Sequence, residues 1–175
     1  VLGPDGRGVA AAQGVDPDFL VGTLGKALGS YGAFVVGPSS LRELLISRGR
    51  SFIFTTGLPE PVVQAALVAM DLATDERRER LKERVARFRK GLADLGLVAT
   101  GTNHIVPVIF GNRTMAVADA LLKSGFWAAG IRAPTVPSGS ERVRFTISAE
   151  HTPHQIDRLL EALQSVLREM NHAET

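Results

Sequence analysis

One lysine, Lys26, stands among small residues in the run TLGKALG, Thr23 to Gly29, between two apolar stretches. Glycines let a backbone approach a ligand closely, and backbone N–H groups in such turns can hold phosphate. Thr23 adds a hydroxyl just before the amine. An amine held at a strand end between apolar walls loses hydration, which favours its neutral form. A neutral amine attacks an aldehyde to give a Schiff base. An amine, a phosphate-binding hydroxyl and open backbone are the requirements of a pyridoxal phosphate site. The same residues also suit an ordinary surface lysine in a glycine-rich turn. They do not suit a P-loop, which needs glycine at position 20 and serine or threonine at position 27; this chain has Leu20 and Ala27 there.

Two arginines, Arg142 and Arg144, lie in RVRFTIS on one face of a predicted strand. A guanidinium offers a planar fork that matches a carboxylate in two hydrogen bonds. Spacing alone does not choose between them. Of the histidines, His104 opens a predicted strand and reads as structural. His151 and His154 flank a predicted helix start and read as exposed. The four histidines have no metal-ligand spacing, and the chain has no cysteine, so no metal site is expected and disulfides are excluded.

The elements that must position these residues follow from periodicity. Residues 1 to 17, rich in glycine and proline, read as loop. Residues 18 to 24 and 33 to 37 are continuously apolar, as strands buried on both faces are. Residues 39 to 48 read as a short helix and SFIF, 51 to 54, as a further strand. One long helix is predicted from about Pro59 to Leu92, with Pro59 and Pro61 in its first turn. Leu81, Val85, Phe88 and Leu92 share one face of it. Glu76, Arg77, Arg80, Arg84 and Arg87 share the other, and the interleaved acids predict a solvated face rather than a nucleic-acid or membrane surface.

After residue 96 strand and helix alternate. Residues 104 to 110, 126 to 131 and 142 to 148 read as strands, the last half-exposed by its alternation. Thr114 to Ser124 reads as a helix ended at Gly125. The last helix has the clearest start: Thr152 as N-cap, Pro153 at the first position and Gln155 completing a capping box. Its core stripe is Ile156, Leu159, Leu160, Leu163, Val166, Leu167 and Met170.

The chain therefore divides into residues 1–58, an αβ stretch; 59–94, a connecting helix; and 95–175, a small α+β unit. The first stretch offers too few strands to cover its own faces. The chain begins at Val1 within turn-like sequence, and a start inside a longer protein is expected. At 175 residues, 45% apolar, 22% charged and a net charge of +2, it reads as globular without a nucleic-acid or membrane partner. No apolar stretch approaches the ~20 residues of a spanning helix, and no signal peptide is visible.

The run GTLGKALGSYGAFVVG resembles the cofactor-lysine segment of the α-oxoamine synthases, pyridoxal-phosphate enzymes of fold type I in the class-II aminotransferase superfamily. VLGPDGRG resembles the segment just after that family's aspartate–histidine motif. GRSFIFTTGLPEPVVQAAL resembles its dimer-interface segment, and AAGIRAPTVPSGSERVRFTISAEHT its C-terminal signature. The four occur in family order along nearly the whole chain.

The resemblance implies the C-terminal part of a fold-type I, α/β pyridoxal-phosphate-dependent transferase: a remnant of the large, mostly parallel sheet domain, then the connecting helix and the small domain. It implies Lys26 as the imine-forming and proton-moving residue, with Thr23 on the cofactor phosphate. It implies Thr55 or Thr56 on the phosphate of a partner subunit in a homodimer. Thr135 is implied near substrate or cofactor, Arg144 rather than Arg142 on the amino acid carboxylate, and Arg132 on an anionic part of the acyl donor. For the threonines the alternatives are strand, cap and turn chemistry.

Within the family, Ile131 to Pro137 resembles the oxononanoate-forming branch. That branch condenses L-alanine with a pimeloyl thioester, on CoA or acyl carrier protein, in biotin biosynthesis in the cytoplasm. The glycine and 5-aminolevulinate branches carry an aromatic residue where this chain has Ala133. The family's ring-stacking histidine and pyridine-nitrogen aspartate are expected upstream of Val1, so the chain alone is expected to be inactive. The alternatives are another branch, such as the one using glycine and acetyl-CoA, and a non-catalytic αβ binding module.

Overall fold

The computed structural model describes residues 1–173. It divides into two compact units, Val1–Asp75 and the chain from Glu76 onward. The boundary falls inside the stretch read as one connecting helix.

In the first unit, residues 1 to 17 hold a single 3-10 turn, Pro4–Gly6, and a short helix α1, Gly8–Ala12, where loop is expected. Three consecutive alanines, the strongest helix formers, account for α1. Strands β1, Leu20–Thr23, and β2, Ala33–Val36, pair antiparallel in the register Leu20 with Val36 through Thr23 with Ala33. An antiparallel pair is compatible with the edge of an otherwise parallel sheet. The faces expected to be buried are open: Leu20, Val21, Val35 and Val36 are exposed, because no element of this unit covers them. Leu24 and Ala66 alone are buried here.

Helix α2, Ser39–Arg48, matches its expectation. SFIF does not form a strand. Residues Arg50–Ile53 make one helical turn, α3, with the Phe52 and Ile53 amides both donating to the Gly49 carbonyl at 2.8 Å. Four apolar residues carry no periodicity that separates the two conformations. Helix α4 spans Glu60–Asp71 and α5 spans Asp75–Asp94. The predicted single helix is thus two, interrupted at Leu72 to Thr74. Thr74 and Asp75 are residue types that favour a helix start, and Asp75 with Glu76 puts acid where the N-terminal dipole favours it.

The second unit is a three-stranded antiparallel sheet with three helices on one face. Strands β3, Ile105–Ile109, β4, Ala129–Ile131, and β5, Arg142–Thr146, lie in the order β3-β5-β4. Helices α6, Thr114–Lys123, and α7, Pro153–Ala173, complete it. β4 is shorter than expected, starting at Ala129. On the central strand, Val143 and Phe145 are buried while Arg142, Arg144 and Thr146 lie on the other face. The buried set meets Phe88 and Leu92 of α5, Val117 and Leu121 of α6, and Ile156, Leu163 and Val166 of α7. Phe88 and Phe145 pack edge to face with ring centroids 5.1 Å apart. The predicted stripe of α7 is this core: Leu159, Leu160, Leu167 and Met170 pack against it.

The predicted capping box is present. Gln155 N donates to Thr152 Oγ1 at 3.2 Å, and Thr152 N donates to Gln155 Oε1 at 2.8 Å. The arginine face of α5 is exposed at Arg77 and Arg87, as its pattern implies, and also makes surface contacts. Arg87 holds Asp157 through two bonds of 2.7 and 2.6 Å, Arg84 Nε donates to the His151 carbonyl at 2.9 Å, and Arg77 lies 3.1 Å from Glu150. These arginines fasten the turn after β5 and the start of α7 to α5.

Candidate active site

Lys26 sits in the loop joining β1 to β2. The loop is closed at its base: Leu24 N donates to Gly32 O at 2.9 Å, and Ser30 N to Leu24 O at 3.0 Å. Within it, Gly29 N donates to Lys26 O at 3.0 Å, so Lys26 opens a four-residue turn. Gly29 has φ +58, in the left-handed region that glycine enters without penalty. Leu24, buried, anchors the loop, and Ser30 Oγ ties it to the Val62 carbonyl of α4 at 2.7 Å. At Gly22 the Phe34 ring lies over the backbone, where a Cβ would come within 2.3 Å of it and push the ring aside. The sequence places the amine on a short, tethered loop rather than on a mobile tail.

The amine itself is exposed. The apolar walls expected around it are not supplied by the first unit, where Lys26 projects from an open loop. No hydrogen bond or ion pair among the described residues engages the Lys26 side-chain amine. Thr23 ends β1 and is exposed, and Thr55 and Thr56 are exposed in the segment after α3. One primary amine and three hydroxyls, all accessible, make a donor set suited to an aldehyde bearing a phosphate ester. Residues of this unit therefore fit pyridoxal phosphate by chemical type.

Arg144 and Arg142 belong to the second unit. They differ in a way that the sequence does not reveal. Arg142 is half-buried and its Nε donates to the Ser140 carbonyl at 2.8 Å. Arg144 is exposed, lies between Pro107 of β3 and Ala129 of β4, and its guanidinium makes no hydrogen bond or ion pair among the described residues. Of the two, Arg144 is the guanidinium whose fork is left open to a further partner. Arg132 and Thr135 are exposed in the turn after β4, where Thr135 N donates to Arg132 O at 3.0 Å.

His104 is half-buried, and desolvation pushes its imidazole below the ordinary value; its carbonyl accepts from Ile147 N at 2.9 Å, a structural role. His151, expected to be exposed, is half-buried, with its carbonyl bound by Arg84 and its Nδ1 accepting from Ser148 N at 3.1 Å. The RxxxxxxRxxR spacing from Arg77 to Arg87 was the available signal for this fastening. Among the described residues, no cluster of three or more histidines and acids could hold a metal, and no helix is long and apolar enough to cross a membrane.

The aminotransferase class I and II family model matches residues 4–163. An 8-amino-7-oxononanoate synthase from Anaeromyxobacter dehalogenans strain 2CP-C is 48% identical over 95% of this chain and 44% of its own length. One from Anaeromyxobacter sp. strain K is 46% identical over 99% of this chain and 46% of its own. Among solved structures, a serine palmitoyltransferase from S. paucimobilis with PLP and myriocin bound superposes with a TM-score of 0.86 at 35% identity, over 97% of this chain and 45% of that one. An 8-amino-7-oxononanoate synthase from Francisella tularensis gives 0.82 at 26%, over 98% and 52%. The chain spans about half the length of the curated relatives it matches. The expected fold, the corresponding part of a fold-type I α/β transferase, is borne out by these superpositions. With a family match running through β1, the Lys26 loop and the small sheet that carries Arg144, the chain belongs to the aminotransferase class I and II family.

Proposed function

We propose that the whole protein is a pyridoxal-phosphate-dependent C-acyltransferase. It condenses L-alanine with a pimeloyl thioester to give 8-amino-7-oxononanoate, carbon dioxide and a free thiol, and works as a homodimer in the cytoplasm. The observation that carries this reading is the Lys26 loop: an accessible, unpaired amine, held by a closed hairpin directly after Thr23. The identity of 46–48% to relatives named 8-amino-7-oxononanoate synthase favours that substrate pair over the serine palmitoyltransferase chemistry of relatives at 35%.

When bound, pyridoxal phosphate supplies an aldehyde for the lysine and a ring that withdraws electrons from the substrate α-carbon. Lys26 would hold the group through its Nζ and would take and later return the substrate α-proton at that atom. Thr23 donates its hydroxyl to the phosphate, and Thr55 or Thr56 serves the phosphate held by a partner subunit. Arg144 binds the alanine carboxylate through both N–H arms. Thr135 stands beside the substrate, and Arg132 meets an anionic part of the acyl donor, a CoA or acyl carrier protein thioester. Residues 1–58 belong to the cofactor-binding domain in this reading.

An amino acid panel tests it. The whole protein is given pimeloyl-CoA with alanine, glycine or serine, and carbon dioxide release is measured. Release strongest with alanine supports the proposal. Release strongest with glycine would move the protein to another branch, and none with any amino acid would leave a binding module.

A further inference from the structure

The second unit contains a cleft of about 420 Å3 between the chain entering β4, the end of β5 and the start of α7. That volume lies in the range of small-molecule sites. The gap exists because β4 pairs with β5 only from Ala129 opposite Arg144 onward, so Phe126 to Ala128 are unpaired alongside the last residues of β5. Its walls are apolar: Phe126, Ile147, Ile156 and Leu159. At its rim stands Trp127, the single tryptophan of the chain and 85% exposed.

The polar equipment of the cleft is fixed by hydrogen bonds already made. Gln155 Oε1 must be an acceptor, because its partner is the Thr152 N–H, so the side-chain NH2 of Gln155 is left with two donors. His151 Nδ1 must likewise be an acceptor for the Ser148 N–H, so in the neutral ring the proton resides on Nε2. Both residues line the cleft. Arg144 borders it, and the Arg158 guanidinium lies 5.9 Å over the Phe126 ring. No carboxylate lines it among the described residues. The cleft thus offers an apolar body, hydrogen-bond donors and positive charge, with no competing acid.

We propose that this cleft binds a short aliphatic carboxylate, with the chain against Phe126, Ile156 and Leu159 and the carboxylate on the N–H groups of Gln155 and His151. The site lies wholly within the second unit and does not rest on the reaction proposed above.

The test uses Trp127 fluorescence of the 175-residue chain, titrated with heptanoate. Acetate, which lacks the apolar body, and heptan-1-ol, which lacks the carboxylate, serve as controls. A ligand of roughly nine non-hydrogen atoms should saturate at about millimolar concentration. Gln155→Glu keeps the acceptor that caps α7 but replaces the N–H donors with negative charge. It should weaken heptanoate binding by about tenfold or more with the thermal midpoint preserved. Ala128→Leu, which fills the cleft from the other wall, should give the same loss. A flat heptanoate titration, equal binding of heptan-1-ol, or undiminished binding by both variants would overturn the proposal.

Discussion

Replacing Arg144 and Arg142 in turn separates binding from structure. The Arg144 side chain is exposed and engages no partner among the described residues, so Arg144→Ala should change the unfolding free energy by no more than ~0.5 kcal/mol. In the proposed role it makes a paired, charge-assisted contact to the alanine carboxylate. Its loss should cost about 2–3 kcal/mol of binding, or roughly a 30- to 150-fold rise in KM for alanine. Arg142 is different: half-buried, it closes the approach to β5 by donating to Ser140 O at 2.8 Å. Arg142→Ala should lower stability by about 1 kcal/mol and change KM by less than ~3-fold. Alanine saturation kinetics and urea unfolding of the whole protein, run on both variants, give the two numbers for each. The reasoning is refuted if Arg142→Ala raises KM as much as Arg144→Ala, or if Arg144→Ala destabilises the more.

Phe88 is fully buried against Phe145, so Phe88→Ala should destabilise the second unit by about 3–5 kcal/mol, read as a lower urea midpoint. Thr152→Ala removes one bond of the capping box and should lower stability by about 1 kcal/mol, while Thr152→Ser should retain it, in the same unfolding assay. The hydrogen bond from Arg87 holds the Asp157 carboxyl below the ordinary carboxylate value. Its folded pKa is thus depressed, so its contribution is present above the unfolded value near 3.9 and lost as pH falls through the folded one. Asp157→Asn should therefore flatten the acid limb of a stability profile below about pH 4 and leave the slope near neutrality unchanged.

The parts of the fold that were legible are those where local chemistry and periodicity agree. Thr152, Pro153 and Gln155 specify a helix start by hydrogen bonds within one turn, and the structure forms both of them. The alternation in RVRFTIS fixed which residues of β5 face the core. SFIF was misread because four apolar residues suit either conformation, and the Gly49 carbonyl decided for a helical turn. The break at Leu72 to Thr74 was hidden because apolar residues continue through it and neither proline nor glycine marks it.

The candidate site residues could be chosen by type, whereas the contacts each of them makes could not be read from the sequence. Arg142 and Arg144 are equivalent in spacing, and only the Ser140 carbonyl tells them apart. The walls around Lys26 were expected from its flanking apolar runs, yet covering a strand face takes another element, which no local pattern supplies. The donors of Gln155 and His151 depend on which of their atoms the backbone has already claimed, and that is settled only in three dimensions.

Reductive trapping at Lys26 bears most directly on the central claim. The whole protein is incubated with pyridoxal phosphate, reduced with borohydride, digested and mapped by mass spectrometry. The account predicts a pyridoxyl group on the peptide containing Lys26, and none on that peptide when alanine replaces the lysine. An unmodified Lys26 in protein that nevertheless retains turnover would contradict it.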